Sequence, residues 1–262
     1  MNEAVLGLVS QPVWVFVSVL ARVSPTLMIA PPTRSGAVPL RVRALIAITC
    51  GFLVTPLAMN NATPLPSDLI HIGLSMGSEV LLGFLLGSVV MLAIVSLQVA
   101  GQAASHLAGF DMASAADPAS NEQMPVISTL LGWLAIVILL LVGGHRQLME
   151  CCLDSFTRYP AGAVVFETRW LEEFRTLLSH TFVIGIRAAA PMATSLLLAN
   201  LITGLLARTL PQLNVLAIGF NINALALLLL IFLSTGGIAW VFQTELSVWL
   251  SACHRIVMPE SP

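Results

Sequence analysis

The sequence has 262 residues, of which 57% are hydrophobic and only 9% are charged, and its mean hydropathy is +0.93. So few charges cannot cover a water-facing surface of this size, which excludes an ordinary soluble domain and indicates a polytopic membrane protein. The net charge of −2 argues against nucleic acid as a partner.

Six apolar blocks follow one another along the chain and predict an all-α membrane protein. A membrane span needs roughly 20 residues, and the first and fourth blocks have that length. The third, fifth and sixth blocks are longer than a hydrocarbon core of about 30 Å requires. They are predicted to be broken helices, or helices that extend beyond the membrane within a complex. The blocks run over 12–31, 44–59, 69–100, 124–143, 177–207 and 213–242.

Two arginines lie inside apolar blocks, each shortly before a proline. Arg22 precedes Pro25 in the first block, and Arg187 precedes Pro191 in the fifth. Proline removes a backbone donor and bends a helix, so both places combine a cation with disturbed backbone. A transporter would use such a cation to bind an anionic substrate, whereas an assembly would use it in an ion pair between subunits. We favour the ion pair.

The third block carries glycines with GxxxG spacing and one carboxylate. The glycines share an arc of roughly 120° and predict a groove where another helix approaches closely. Glu79 lies at the edge of that face, and a carboxylate in an apolar helix is a candidate functional group. The alternatives for Glu79 are a structural hydrogen bond to a neighbouring helix or subunit, and proton coupling. The four glycines are Gly73, Gly77, Gly83 and Gly87.

A polar segment between the third and fourth blocks, Gly109 to Pro125, is rich in small residues and contains acids but no arginine. Such a segment cannot build a core of its own, so it is predicted to be a mobile or specially shaped loop within a membrane scaffold. The 144–176 segment after the fourth block is predicted to connect two halves of the chain. Its end, around RWLEEFRTLL, has helical spacing and mixed charge and predicts a surface helix.

The sequence contains no pattern that indicates an enzyme, a metal site or a cofactor. The four cysteines and five histidines do not have the spacing of a zinc site. No nucleophile motif or phosphate-binding loop is present. We therefore predict a protein that is not an enzyme, with no metal and no cofactor.

An ordered set of residues along nearly the whole chain carries a resemblance to a known family. The set comprises Arg22, Pro25, Pro39, Arg41, Arg43, Gly77, Glu79, Gly83, Gly87, Ala100, Gly101, Gly109, Asp117, Pro118, Met124, Pro125, Gly143, Gly144, His145, Pro191, Asn200, Gly204, Arg208, Pro211, Gln212, Leu213, Asn214, Gly219 and Phe220. It resembles the FliR family, the export-gate membrane proteins of the bacterial flagellum, whose counterpart in injectisomes is the T subunit. The sequence departs from the family at Asn221, where proline is usual.

The resemblance implies a subunit of a type III export gate in the bacterial inner membrane, at the flagellar basal body. Its partners would be FliP and FliQ in a hetero-oligomer, with FlhB and FlhA alongside, unfolded export substrates and membrane lipid. It also implies a FliP-like half, assigned to residues 1–143, joined through residues 144–176 to a FliQ-like half at residues 177–262. The residues assigned to polar contacts in assembly are Arg22, Glu79, Arg187 and Asn200.

The resemblance further implies that the loop at 109–125, here called the plug segment, closes the export channel. Because acids hydrate a channel rather than seal it, sealing would fall to Phe110, Met112 and Met124. The residues assigned to the plug are Gly109, Phe110, Asp111, Met112, Asp117, Pro118, Met124 and Pro125. The alternative function is a secondary transporter of a small solute that uses Glu79, Arg22 and Arg187.

Overall fold

A computed structural model describes residues 2–30, 38–109, 125–209 and 215–258 of the chain. These residues form helices joined by short connections, and no strand occurs among them. The all-α prediction is therefore confirmed. The helices are α1 (Asn2–Ile29), α2 (Leu40–Met59), α3 (Leu69–Ala108), α4 (Val126–Leu141), α5 (Gly144–Arg158), α6 (Thr168–Thr209) and α7 (Val215–Val257).

Five of these helices are long and apolar enough to cross a membrane, namely α1, α2, α3, α6 and α7. The pair α4 and α5 would make a sixth crossing, but it is bent by 66°. Gly143 lies at the bend with a φ of +76°, a left-handed conformation that glycine adopts without steric cost. Five or six spans agree with the predicted polytopic membrane protein.

The three long apolar blocks are continuous helices of 40 residues in α3, 42 in α6 and 43 in α7. Their length left two alternatives open, namely broken helices or helices that extend beyond the membrane. The structure has uninterrupted helices at these blocks, and the break lies between α4 and α5. The RWLEEFRTLL stretch is helical, and most of its residues are exposed or half-buried, as predicted for a surface helix. It is the first part of α6, continuous with the fifth apolar block, and its Trp170 is fully buried.

The chain divides into two compact units that are interleaved along the sequence. Unit 1 consists of residues 1–92, 143–177 and 246–262, and unit 2 consists of residues 93–142 and 178–245. The predicted halves, 1–143 and 177–262, rest on likeness to two other proteins, and that division stays a prediction.

Candidate functional site

The centre of unit 1 is a charged pair with no exposure to solvent. Arg22 on α1 and Glu79 on α3 are both 0% exposed. The Arg22 Nε donates to Glu79 Oε2 at 2.7 Å, and its Nη2 donates to Glu79 Oε1 at 3.1 Å. Two parallel bonds between a planar guanidinium and a carboxylate form the strongest geometry that this pair can adopt.

The rest of the guanidinium is held by α5 and the residue that follows it. Nη1 donates to Ser155 Oγ at 2.9 Å, and Nη2 donates to the Tyr159 carbonyl at 2.8 Å. The Phe156 ring lies against the guanidinium, with 4.0 Å between its centroid and Cζ, as in a cation–π contact. A single arginine thus ties α1 to α3 and to the end of α5.

Gly162, in the turn after α5, provides the third hydrogen bond to the Glu79 carboxylate. Its N–H donates to Glu79 Oε1 at 2.8 Å, and its carbonyl accepts from Ser75 Oγ at 2.6 Å. Its φ is +84°, and a Cβ there would lie 2.6 Å from Thr63 Oγ1 and 3.0 Å from Trp14 Nε1. The position therefore requires glycine for both its conformation and its space.

This cluster is closed and does not resemble a substrate site. Glu79 accepts three hydrogen bonds and Arg22 donates four, all from or to groups of unit 1. Glu79 thus makes the structural bond to a neighbouring helix that was one alternative for it. The expectation that Arg22 pairs between subunits is wrong, because its carboxylate partner belongs to the same chain.

Helices α1 and α3 approach closely beside this pair, at two of the four predicted glycines. A Cβ on Gly83 would collide with the Arg22 carbonyl oxygen, and a Cβ on Gly87 would lie 2.9 Å from the Thr26 carbonyl oxygen. The Thr26 hydroxyl bonds the carbonyls of Arg22 and Gly83, each at 2.9 Å. At Gly73 and Gly77 nothing described lies within 4 Å of a Cβ, so close approach there stays a prediction.

A second polar cluster in unit 1 joins Tyr159 and Glu167, which lie outside the candidate spans, to Arg169 in the first turn of α6. The Tyr159 hydroxyl donates to Glu167 Oε1 at 2.6 Å and accepts from Arg169. Burial, and the hydrogen bond to the Glu167 carboxylate, raise the pKa of the Tyr159 phenol above its ordinary value. The phenol is therefore protonated at neutral pH and remains a donor to Glu167.

In unit 2, Asn200 lies beside the end of α3, where the plug segment begins. Its Nδ2 donates to the Leu107 carbonyl at 3.0 Å, and its Oδ1 accepts from Asn223 Nδ2 at 2.5 Å. These two hydrogen bonds fix the amide orientations of Asn200 and Asn223, because the Leu107 carbonyl can only accept. Asn200 thus holds the end of α3 against α6 and α7 two residues before Gly109.

The plug segment itself lies almost wholly outside the described residues. Gly109 immediately follows α3 and has a φ of +81°, and Pro125 immediately precedes α4. The other positions assigned to the plug are not among the described residues and are Phe110, Asp111, Met112, Asp117, Pro118 and Met124.

Arg187 belongs to unit 2, whereas Arg22 and Glu79 belong to unit 1. Its side chain is exposed and lines a crevice of about 400 Å³ between α6 and α7. No described residue forms a hydrogen bond or ion pair with it. An unpaired arginine in an apolar helix costs about 2.5–3.5 kcal/mol at the centre of a membrane, so this cation calls for a partner beyond the part of the chain that the structure describes.

The sequence analysis missed the groups that complete the buried pair, namely Ser155, Phe156, Tyr159 and Gly162. They come from a polar stretch that is far from Arg22 and Glu79 in sequence, and nothing in its spacing indicates a bond to either. The one usable signal was the Pro160–Gly162 turn, which marks a glycine with special conformation. Among the described residues no group of three histidine, cysteine, aspartate or glutamate side chains could hold a metal.

Comparison with known proteins gives matches along most of the chain. Residues 13–248 match the family described as bacterial export proteins, family 1. The flagellar biosynthetic protein FliR of Caulobacter vibrioides is 28% identical over 230 residues, which cover 88% of this chain and 92% of that protein. FliR of Escherichia coli is 31% identical over 210 residues (80% and 78%). The Yop proteins translocation protein T of Yersinia pestis is 28% identical over 177 residues (66% and 68%).

Proposed function

The chain belongs to the FliR family of bacterial export proteins, and from that premise we propose that it is a structural subunit of the type III protein export apparatus used in flagellar biosynthesis. The observation that carries this proposal is the family match over nearly the whole chain. The fold supports it, because long apolar helices and a closed charged cluster form a scaffold rather than a reaction centre. This role requires no catalytic residue and no cofactor.

The proposed place of this subunit is the bacterial inner membrane, at the flagellar basal body. The five helices with the length and hydropathy of membrane spans support a membrane location. The proposed partners are FliP and FliQ within one hetero-oligomer, with FlhB and FlhA alongside. The exposed apolar faces of α6 and α7 support a role within a complex, since each helix is much longer than a membrane core.

Native mass and subunit content test this proposal directly. We expect the tagged chain, extracted gently from its own membranes, to run in a large hetero-oligomer with two other small hydrophobic proteins. Native mass spectrometry of the purified complex would identify them. The same tag on an unrelated polytopic protein from the same membranes controls for co-extraction. Recovery of the chain alone, or as a homodimer, would contradict the proposal.

We further propose that the plug segment closes the channel through which unfolded polypeptide passes. The support is the family resemblance, the small residues of the segment, and its attachment to the ends of two firmly packed helices. Gly101 on α3 faces the backbone of α4 so closely that a Cβ would lie 2.5 Å from the Ser128 Cα. These two helices therefore give the segment fixed end points within unit 2.

A deletion tests the plug. Removing residues 110–123, or replacing them by a Gly/Ser linker of equal length, is expected to make the membrane permeable to small ions while the complex still assembles. Alanine at Phe110, Met112 and Met124 should also raise permeability, because these side chains supply the proposed seal. The matched control is the double variant Asp111→Asn with Asp117→Asn, which should leave the ion permeability unchanged. Ion flux into vesicles with purified complex measures this, and unchanged flux after the deletion would rule out a plug.

The comparisons do not support the alternative of a small-solute transporter. The relatives described above are export and translocation proteins. The geometry does not support it either, because the Glu79 and Arg22 side chains are saturated by each other and by neighbouring groups.

A further inference from the structure

The last two turns of α3, residues 102–108, carry mainly small side chains. Those that are buried there are Ala104, Ser105 and Ala108, each no more than 1% exposed. Because the hydrophobic gain scales with the apolar area removed from water, burial of such small side chains holds a helix end less firmly than burial of leucines would. Directed hydrogen bonds therefore contribute a large share of what fixes this end of α3.

Asn200 on α6 supplies such a bond, at a carbonyl that α3 itself leaves open. The last four carbonyls of an α-helix have no donor within the helix, and Leu107 is the second residue from the end of α3. The 3.0 Å bond from Asn200 Nδ2 therefore caps α3 from another helix. Asn223 on α7 donates in turn to Asn200 Oδ1, which keeps the Asn200 amide nitrogen directed at Leu107.

Asparagine is a costly residue at position 223. It lies in the apolar helix α7 and is only 6% exposed, and among the described residues none donates to its Oδ1. A buried polar atom without a partner is destabilising, and a leucine of similar size would avoid that cost. Packing of α7 within the described chain thus does not explain this residue, whereas its bond to Asn200 does.

The other end of the plug segment is fixed in a different way. Pro125 immediately precedes α4, and Ser128 in the first turn of α4 donates to the Gln98 carbonyl of α3 at 2.9 Å. The backbones of α3 and α4 also approach closely there, at Gly101. The α4 end is thus set by backbone packing, whereas the α3 end depends on two side-chain amides that single substitutions can remove.

We propose that Asn200 and Asn223 are positioning residues of the export channel, and that their bonds hold the α3 end of the plug segment where the segment closes the channel. In this role neither residue touches the exported polypeptide. The inference rests on the proposed function, because it requires that the segment closes a channel. It extends that function by assigning control of the closure to described residues of α6 and α7, outside the segment itself.

Ion flux into vesicles with purified complex tests the asparagine pair. Asn223→Leu is expected to raise the flux by roughly tenfold, because loss of its bond lets the Asn200 amide turn away from Leu107. Asn200→Asp should raise it at least as much, since a carboxylate has no proton to donate to the Leu107 carbonyl. The matched control is Asn221→Leu, at an exposed asparagine two residues earlier on α7, and it should leave the flux unchanged.

Two further measurements separate positioning from a merely structural role. Denaturant unfolding of Asn223→Leu should show no loss of stability, because leucine removes a buried acceptor that no described residue pairs. Hydrogen exchange of the backbone amides at 105–109, followed by mass spectrometry, should become about tenfold faster in both variants of the pair. The reason is that the last turn of α3 opens more often without its cap.

The outcomes separate this inference from the proposed function. If deletion of residues 110–123 leaves the flux unchanged, the proposed plug fails, and the positioning role fails with it. If that deletion raises the flux but Asn223→Leu and Asn200→Asp do not, the plug is retained and the positioning role is wrong.

The stability and exchange measurements decide the remaining cases. A raised flux with a clear loss of stability in Asn223→Leu overturns the positioning role, because general loosening of unit 2 then explains the leak. A raised flux with unaltered exchange at 105–109 also overturns it, since the end of α3 has then not been released. Raised flux, faster exchange and unaltered stability together support it.

Discussion

Glu79→Leu is expected to destabilise the protein by about 3–5 kcal/mol, because it leaves the Arg22 guanidinium buried without a counter-charge. Arg22 is completely enclosed, and its position between three elements prevents it from turning toward solvent. The Gly162 N–H also loses its acceptor, which adds the penalty of an unpaired buried donor. Glu79→Gln retains an acceptor but removes the charge, so its effect should be intermediate.

A double-mutant cycle measures the interaction energy between Arg22 and Glu79. Arg22→Met combined with Glu79→Leu should lose clearly less stability than the sum of the two single variants, because no unpaired charge remains buried. Denaturant unfolding of the detergent-solubilised protein measures all four species. Arg146→Met is the matched control, since Arg146 forms a largely exposed pair with Glu150 on α5 and should change nothing measurable. Additive single effects, or a Glu79→Leu variant as stable as the control, would show that the Arg22–Glu79 pair does not stabilise the fold.

Much of the fold could be predicted from the sequence because hydropathy alone decides which segments are buried in lipid or protein. The all-helical architecture and the number of apolar segments follow from that pattern. The continuity of α6 could not be predicted. Its polar first part and its apolar second part have different compositions, yet the backbone continues, since hydrogen bonding within a helix does not depend on which solvent surrounds it.

The two charged residues of the site were predictable, but their pairing and the groups that complete it were not. Arg22 and Glu79 were each conspicuous, because charge in an apolar helix is costly. Their pairing depends on the packing of α1 on α3, and the sequence shows no register for that packing. The glycines illustrate the same limit, since Gly73 and Gly83 are alike in sequence, and only the position of α1 makes one crowded and leaves the other open.

Gly83→Ala is expected to destabilise the protein by about 1–3 kcal/mol, the usual cost of overpacking. The added methyl meets the Arg22 carbonyl oxygen, which is backbone and cannot turn away. Helix α1 must therefore move outward, and this movement stretches the Thr26 bridge to the Gly83 carbonyl and disturbs the Arg22–Glu79 pair. Gly87→Ala meets the Thr26 carbonyl oxygen at 2.9 Å and should cost less.

Gly73→Ala on the same helix is the matched control, and its effect should have the opposite sign. Nothing described lies within 4 Å of a Cβ at Gly73, so alanine only improves the helix propensity, by about 0.5–1 kcal/mol. Denaturant unfolding of each purified variant should give stabilities that decrease in the order Gly73→Ala, unaltered protein, Gly87→Ala, Gly83→Ala. Equal effects at Gly73 and Gly83 would mean that α1 does not pack against α3 at Gly83. If Gly73→Ala stabilises the isolated chain but weakens the assembled complex, its glycine face is covered by another subunit, as the GxxxG spacing predicts.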